Sequence, residues 1–263
     1  MKYALKDVVT SLPQSKRKSD SIWTKIWGRP IGNVFAWVFL NIGITPNIVS
    51  IFVVLIVLIG FIFCCINSFI FALIGLIIFN FFIVFDCVDG SMARTLKKDS
   101  YMGEFFDAVG GYTMCLFSMC GASIICYNFS GILPQTFSLL IMFVGCLGGS
   151  CDIFSRLVYQ KYTSNVFISD YKRGKQINER ENDSVDRDNW KRNVFLYARL
   201  LIDGEFGTGG FFPIILLISF LFGFLDIVVI IYSFYHILAL FLIIVVFCVK
   251  ASRYDKKSKE NNE

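Results

Sequence analysis

Apolar runs long enough to cross a membrane are the feature that most constrains this chain. A helix needs about 20 predominantly apolar residues to cross a hydrocarbon core of about 30 Å. Of the 263 residues, 56% are hydrophobic, which exceeds the roughly 45–50% of soluble domains. We therefore predict an all-α, polytopic membrane protein with six transmembrane helices, at Pro46–Cys65, Phe69–Ala93, Tyr101–Tyr127, Thr136–Val158, Gly207–Phe224 and Ile227–Val249.

The distribution of basic residues predicts which ends of these helices face the cytoplasm. All 25 Lys and Arg residues lie in residues 1–32, 94–98 and 156–199 and in the tail from Lys250, and the turns on the other side contain none. Because Lys and Arg near span ends stay on the cytoplasmic side, we predict cytoplasmic termini in a multi-pass protein of the cell membrane. The net charge of +5 fits anionic membrane lipids rather than nucleic acid, since the basic residues flank spans and aromatic stacking motifs are missing.

The hydrophilic parts divide the chain further. Residues 22–42 alternate apolar and polar side chains in a helical rhythm, which predicts a cytoplasmic interfacial helix before the first span, with a seventh span as the alternative. Residues 161–191 mix both charge signs and predict a cytoplasmic loop. The predicted regions are an N-terminal segment at 1–45, a core of four spans at 46–160, a loop and amphipathic stretch at 161–206, two spans at 207–249 and a cytoplasmic tail at 250–263.

Acidic residues occur at the predicted cytoplasmic ends of the second and third spans. Asp86 and Asp89 are three residues apart and therefore share one face of the second helix. Asp107 lies one turn inside the third helix, and a short turn between the two helices would bring the three carboxylates around one site. Charged groups near hydrocarbon cost roughly several kcal/mol unless they are paired, solvated or bound to an ion. Such a cluster therefore indicates a functional site.

Three adjacent carboxylates repel one another and need cations between them. Oxygen ligands of this kind favour Mg²⁺, Mn²⁺ or Ca²⁺, and Mg²⁺ is usually shared with substrate phosphates. Two such ions would neutralise a diphosphate and stabilise the charge that develops during its cleavage. The small residues Gly90, Ala93 and Gly103 would allow a ligand or another helix to approach closely. Arg94 can hold a phosphate in bidentate fashion or anchor its helix at the cytoplasmic surface.

These residues also carry a resemblance to a known family. Their order resembles the signature of the CDP-alcohol phosphotransferase family of integral membrane enzymes, with the spacing Asp86-x-x-Asp89-Gly90-x-x-Ala93-Arg94, eight residues, Gly103-x-x-x-Asp107. Six spans, a preceding interfacial helix and the entry "ITPN" into the first span are similar to the family as well. The resemblance covers most of the chain up to about Val158.

The resemblance implies a reaction. A phosphatidyl-type group would pass from a CDP-linked lipid donor to the hydroxyl of an acceptor alcohol or phosphorylated alcohol, with release of CMP, in phospholipid or surface-glycolipid biosynthesis. By position, Asp86, Asp89 and Asp107 would be ligands of two Mg²⁺ or Mn²⁺ ions at the cytoplasmic side. The nucleotide site would be framed by Gly90, Ala93, Arg94 and Gly103. Family members are often homodimers, which implies a homodimer here.

One position departs from the family pattern. The pattern continues with a fourth aspartate, to which metal binding and deprotonation of the acceptor are assigned, and here that position is Gly111. Either Glu104 or Asp99 replaces it as the base, or the acceptor or a metal-bound water relays the proton, or the chain binds a CDP-lipid without efficient turnover. Glu104 lies two turns, about 10 Å, from Gly111. Loss of one general base typically lowers a rate by about 10²–10⁴-fold, and the contributions of the metal ions and of substrate positioning remain. We therefore predict an active transferase.

Asp152 and Arg156 are four residues apart on the fourth predicted helix, a spacing that permits an ion pair. The alternative is that Arg156, together with Arg192 or Arg199, binds a phosphate on the acceptor, by analogy with family members that use phosphorylated alcohols.

Two further residues carry predictions of their own. His236, in the sixth span, is predicted to be a hydrogen-bonded packing residue, and Asp226, in the last short turn, is predicted to be solvated.

A cation-coupled transporter that uses the acids of the second and third spans is the alternative function from another class. The clustering of those acids at one membrane edge instead of the midplane argues against it.

Overall fold

The computed structural model describes residues 3–98, 100–172 and 204–260, and these residues contain helices and no strand. Two short helices come first and are followed by a π-helical turn at Thr24–Gly28. In chain order the helices are α1 (Leu5–Thr10), α2 (Gln14–Ser19), α3 (Arg29–Ile42), α4 (Pro46–Cys65), α5 (Phe69–Leu96), α6 (Tyr101–Asn128), α7 (Ser138–Lys172), α8 (Phe212–Leu221) and α9 (Leu225–Glu260). A 3₁₀ turn at Gln135–Phe137 leads into α7. The predicted all-α, polytopic membrane class is confirmed.

Five of these helices, α4 to α7 and α9, are long and apolar enough to cross a membrane, as predicted. The predicted fifth span, Gly207–Phe224, instead contains only the ten-residue helix α8, which is about 15 Å long. The glycines of residues 207–210 disfavour a helix before Pro213, which stands in the first turn of α8. After α8 the chain turns at Gly223, whose φ of +77° is readily adopted only by glycine.

The segment that contains α8 still runs from one end of the helix bundle to the other. At the end where α5 meets α6, the carbonyl of Gly209 accepts hydrogen bonds from the hydroxyls of Ser21 and Thr24, at 2.9 and 2.8 Å. At the opposite end, the carboxylate of Asp226 accepts one from the backbone N–H of Leu133, at 2.6 Å, in the turn between α6 and α7. The chain therefore passes through the bundle between Gly209 and Asp226. Asp226 is 3% exposed, so the prediction that it is solvated is wrong.

Helices α4 and α5 approach each other closely where glycines meet. A Cβ atom on Gly75 would lie 2.6 Å from the carbonyl oxygen of Gly60 and 2.6 Å from Sγ of Cys64. The larger buried residues of the shared core, such as Phe79 and Met114, lie between α4, α5 and α6. Helices in a membrane associate through close packing. This contact therefore fixes the position of α5, and of the acidic residues at its end, relative to α4 and α6.

The predicted helix at residues 22–42 is confirmed as the π-helical turn and α3, which ends at Gly43 with a φ of +85°. It packs along α5, and a Cβ atom on Gly32 would lie 2.9 Å from Cβ of Cys87. Its position at the membrane surface stays a prediction. Helix α7 continues to Lys172, within the region where the sequence predicts a loop, and residues 173–203 of that region lie outside the described residues.

Candidate active site

The ends of α5 and α6 that carry the acids open into one cavity of about 760 Å³. Its wall combines these two helices with the start of α4, the segment before α3 and the loop before α8. All three predicted metal ligands and all four predicted nucleotide-site residues line it, namely Asp86, Asp89, Asp107, Gly90, Ala93, Arg94 and Gly103. The turn between α5 and α6 thus brings residues together that are up to 21 positions apart in the sequence.

The three aspartates differ in exposure. Asp89 is buried, at 8% exposed, whereas Asp86 and Asp107 are exposed and border the cavity. Asp86, Asp89 and Asp107 line the same cavity, and each lies within electrostatic range of the other two. The three side chains therefore border one space.

Ser50 of α4 orients the buried member of the acid cluster. Its hydroxyl donates a hydrogen bond to Oδ2 of Asp89 at 2.8 Å, and the serine itself is 3% exposed. Sequence reasoning missed this residue because it belongs to none of the motif positions. The available signal was a hydroxyl one turn inside the most apolar predicted span.

The donor set fits a hard divalent cation. Carboxylate oxygens are the ligands that Mg²⁺ and Mn²⁺ prefer, and three of them border one space here. Among the described residues, no three acidic, His or Cys side chains are already arranged around a single ion position. The metal centre at Asp86, Asp89 and Asp107 therefore stays a prediction, which the chemistry of the side chains supports.

Arg94 extends along α5 over Gly90. A Cβ atom on Gly90 would lie 3.0 Å from Nη1 of Arg94, so the glycine leaves the space that the guanidinium occupies. Nη2 of Arg94 donates to the hydroxyl of Ser91 at 3.3 Å, and Nε has no hydrogen-bond partner in the described part of the chain. A guanidinium with donors to spare, next to an acid-lined cavity, is suited to hold a phosphate.

Gly103 allows α4 to approach the start of α6. A Cβ atom on Gly103 would lie 3.3 Å from Oδ1 of Asn47, whose side-chain N–H donates to Ser100 Oγ at 3.3 Å. Ser100 is the N-cap of α6 and accepts from the backbone N–H of Gly103 at 3.4 Å. The first turn of α6, which leads to Asp107, is thereby fixed against α4.

An ion pair outside the motif borders the same cavity. Arg29 donates from Nε and Nη2 to the two carboxylate oxygens of Asp20, at 2.8 and 3.0 Å, and both side chains are about 10% exposed. Burial lowers the pKa of Arg29, but the hydrogen bond to Asp20 and the nearby carboxylates of Asp20 and Asp86 outweigh it, so the pKa is raised. Nothing in the local sequence pattern predicted this pair.

Gly111, where the family pattern has its fourth aspartate, has free space beside it. A Cβ atom on Gly111 would meet no atom within 4 Å, and Gly111 is not among the residues that line the cavity. Of the two residues that the sequence offers as replacement bases, Glu104 lines the cavity, and Asp99 lies outside the described residues.

The predicted pair on α7 is confirmed. Nε of Arg156 lies 3.5 Å from Oδ1 of Asp152, which is 3% exposed. Nδ1 of His236 lies 3.6 Å from the same oxygen, and His236 is buried between helices, in keeping with a packing role. Arg156 is not among the residues that line the cavity, and its two predicted partners, Arg192 and Arg199, lie outside the described residues.

Comparison with known proteins agrees with the resemblance in the motif. The sequence profile of the CDP-alcohol phosphatidyltransferase family matches residues 43–166, just under half of the chain. This segment includes α4, α5, α6 and most of α7, and thus every predicted metal and nucleotide residue. No curated protein and no solved structure matches the chain.

Proposed function

We propose that this chain, which carries a CDP-alcohol phosphatidyltransferase domain over residues 43–166, moves a phosphatidyl-type group from a CDP-linked lipid to an acceptor alcohol and releases CMP. The observation that carries the proposal is a single cavity, of about 760 Å³, lined by the acids, the small residues and the arginine of the family motif. Its volume is within the range of about 300–1,000 Å³ that is usual for small-molecule sites.

In the proposed site, Asp86, Asp89 and Asp107 hold Mg²⁺ or Mn²⁺, with two ions expected from the family. When bound, these ions would neutralise the donor diphosphate and stabilise the charge on the leaving CMP. Arg94 binds a phosphate oxygen through two parallel N–H groups. Ser50 keeps the Asp89 carboxylate in place through its 2.8 Å hydrogen bond. The small side chains at Gly90 and Ala93 leave room for the nucleotide.

The transfer itself changes two bonds to phosphorus. The bond between the transferred phosphorus and the bridging oxygen of CMP breaks, and a bond from the acceptor oxygen forms, while the acceptor hydroxyl loses its proton. Gly111 has no group that can take this proton. Among the described carboxylates that line the cavity, Glu104 lies outside both the proposed metal ligands and the Asp20–Arg29 pair. We assign the proton to Glu104.

The direct test measures CMP release by the purified full chain with Mg²⁺, a labelled CDP-lipid and a panel of acceptors. Asp86→Asn should lower CMP release at least about hundredfold, because it removes one proposed metal ligand. Asp7→Asn, at an exposed acid of α1 that does not line the cavity, is the matched control and should leave the rate unchanged. Undiminished release by Asp86→Asn would refute the metal assignment.

A second candidate is a family member that binds a CDP-lipid without turning it over. Gly111 favours this candidate, because the side chain assigned to deprotonation is missing there. Mg²⁺-dependent binding of the CDP-lipid, together with no CMP release for any acceptor, would support it. Nucleotide-independent ion flux in liposomes would instead support the cation-coupled transporter.

Two features of the family complete the proposal. The chain forms a homodimer, and its termini and cavity face the cytoplasmic side of the cell membrane. The mass of the detergent-solubilised protein tests the first feature. Protease cleavage of terminal tags, in sealed vesicles of known orientation, tests the second.

A further inference from the structure

A lysine outside the matched domain faces the acids of the cavity. Lys16, Ser19 and Asp20 line the cavity and stand at positions i, i+3 and i+4, so they share one face of the α2 turn. Arg17 and Lys18, also in the last turn of α2, are not among the lining residues. The orientation of α2 thus turns one of its three basic side chains towards the site.

Contacts that follow α2 hold it in this orientation. Oγ of Ser21 and Oγ1 of Thr24 both donate to the carbonyl of Gly209, and the backbone N–H of Ile22 donates to Oε2 of Glu205 at 2.9 Å. These bonds join segments about 185 residues apart in the sequence. Gly209 lines the cavity itself. The segment that carries Lys16 therefore forms one wall of the cavity and is held there by hydrogen bonds to residues 205–209.

The charges around the cavity identify the role of this lysine. Its ammonium group lies within electrostatic range of the carboxylates of Asp86 and Asp89. Among the described residues, three other basic ones line the cavity. Arg29 is engaged on two nitrogens by Asp20, whereas Arg94 and Lys98 lie within the matched residues 43–166. In the proposed site these carboxylates of Asp86 and Asp89 hold cations. A phosphate that binds to those cations would also come within reach of the Lys16 ammonium group. Lysine is a common phosphate ligand because it presents a compact charge with three rotatable donors.

We propose that Lys16 is a phosphate ligand of this cavity, supplied by the N-terminal segment from outside the family domain. Its ammonium group donates to a phosphate oxygen, either of the CDP-linked donor or of a phosphorylated acceptor. The inference rests on the proposed function, since it identifies a further ligand of the same site.

The test compares Lys16→Gln, Lys16→Arg and the matched control Arg17→Gln in the full chain with Mg²⁺. Calorimetry gives the dissociation constants for a CDP-lipid, for a polyol phosphate and for inorganic pyrophosphate, and saturation-transfer NMR follows cytidine, which has no phosphate. Lys16→Gln should weaken pyrophosphate and at least one other phosphate ligand about tenfold, the loss expected for one charge-assisted hydrogen bond. Cytidine should change less than twofold, Arg17→Gln should resemble the wild type, and Lys16→Arg should recover most of the affinity.

The outcomes separate the sources of the phosphate. Weaker binding of the CDP-lipid assigns Lys16 to the donor diphosphate, and weaker binding of the polyol phosphate alone assigns it to the acceptor. Unchanged affinity for every phosphate ligand, or an equal loss for cytidine, would overturn the inference. A wild-type chain that binds pyrophosphate but neither binds the CDP-lipid nor releases CMP would refute the proposed function. In that case the pyrophosphate measurement still decides whether Lys16 binds phosphate.

Discussion

The hydrogen bond from Ser50 to Asp89 allows a sharp test of the site through a residue outside the family motif. Replacing Ser50 by alanine removes a hydroxyl that is 3% exposed and donates to a carboxylate oxygen 2.8 Å away. Asp89 is itself 8% exposed, so water cannot readily take the place of the lost donor. The substitution adds no atoms and leaves the helix propensity at least as high.

The magnitude follows from the charge on the acceptor. A hydrogen bond to a charged group contributes about 1.5–3 kcal/mol, and each 1.4 kcal/mol corresponds to a factor of about ten. We therefore expect Ser50→Ala to raise the Mg²⁺ concentration for half-maximal CMP release by about ten- to hundredfold. This range also matches the usual effect of removing a group that orients a metal ligand.

The assay is an Mg²⁺ titration of CMP release, with Ser118→Ala as the control. Ser118 is also a buried serine in a span, but its hydroxyl donates to the carbonyl of Met114 in its own helix. The control should leave the Mg²⁺ dependence unchanged. If Ser50→Ala shifted the half-maximal concentration by less than twofold, the bond to Asp89 would not orient a metal ligand.

Further predictions concern the packing and the base. Gly75→Ala should lower the free energy of unfolding by about 1–3 kcal/mol in chemical denaturation, because its Cβ would lie 2.6 Å from backbone of α4. A change within about 0.5 kcal/mol would contradict the close contact. Glu104→Gln should lower CMP release by about 10²–10⁴-fold if it takes the acceptor proton, and an unchanged rate would exclude it. The space beside Gly111 has room for an aspartate side chain. Adding Gly111→Asp to the Glu104→Gln variant should therefore raise CMP release at least about tenfold above that of Glu104→Gln alone, measured in the same assay. Asp20→Asn leaves Arg29 largely buried without its carboxylate partner, and thermal unfolding should show a loss of about 3 kcal/mol, whereas an unchanged midpoint would show that the pair is dispensable.

Much of the fold was predictable because a membrane leaves few choices. Backbone polar groups in hydrocarbon must be satisfied within the chain, so each long apolar run has to be a helix. The runs at Pro46–Cys65 and in α5, α6, α7 and α9 follow this rule. The acid cluster was predictable for a similar reason, since Asp86 and Asp89 share a helical face and a short turn leads to Asp107. The exception was α8, where glycines before the helix end the local pattern.

The remaining features depend on contacts between distant parts of the chain. The bond between Ser50 and Asp89 joins residues 39 positions apart, and the bond between Thr24 and Gly209 joins residues 185 positions apart. Helical periodicity describes neighbours within a few turns and carries no information on such pairs.

The sequence by itself determined that this protein is a bundle of membrane helices with acids at one edge, because local spacing and the hydrophobic thickness of a bilayer decide both. The tertiary structure alone decided that the N-terminal segment, with Lys16 and the Asp20–Arg29 pair, closes one wall of the cavity. It also decided that open space adjoins Gly111. Both features arise where helices and loops from distant parts of the chain pack together, and the shape of that packing is not encoded in any one segment.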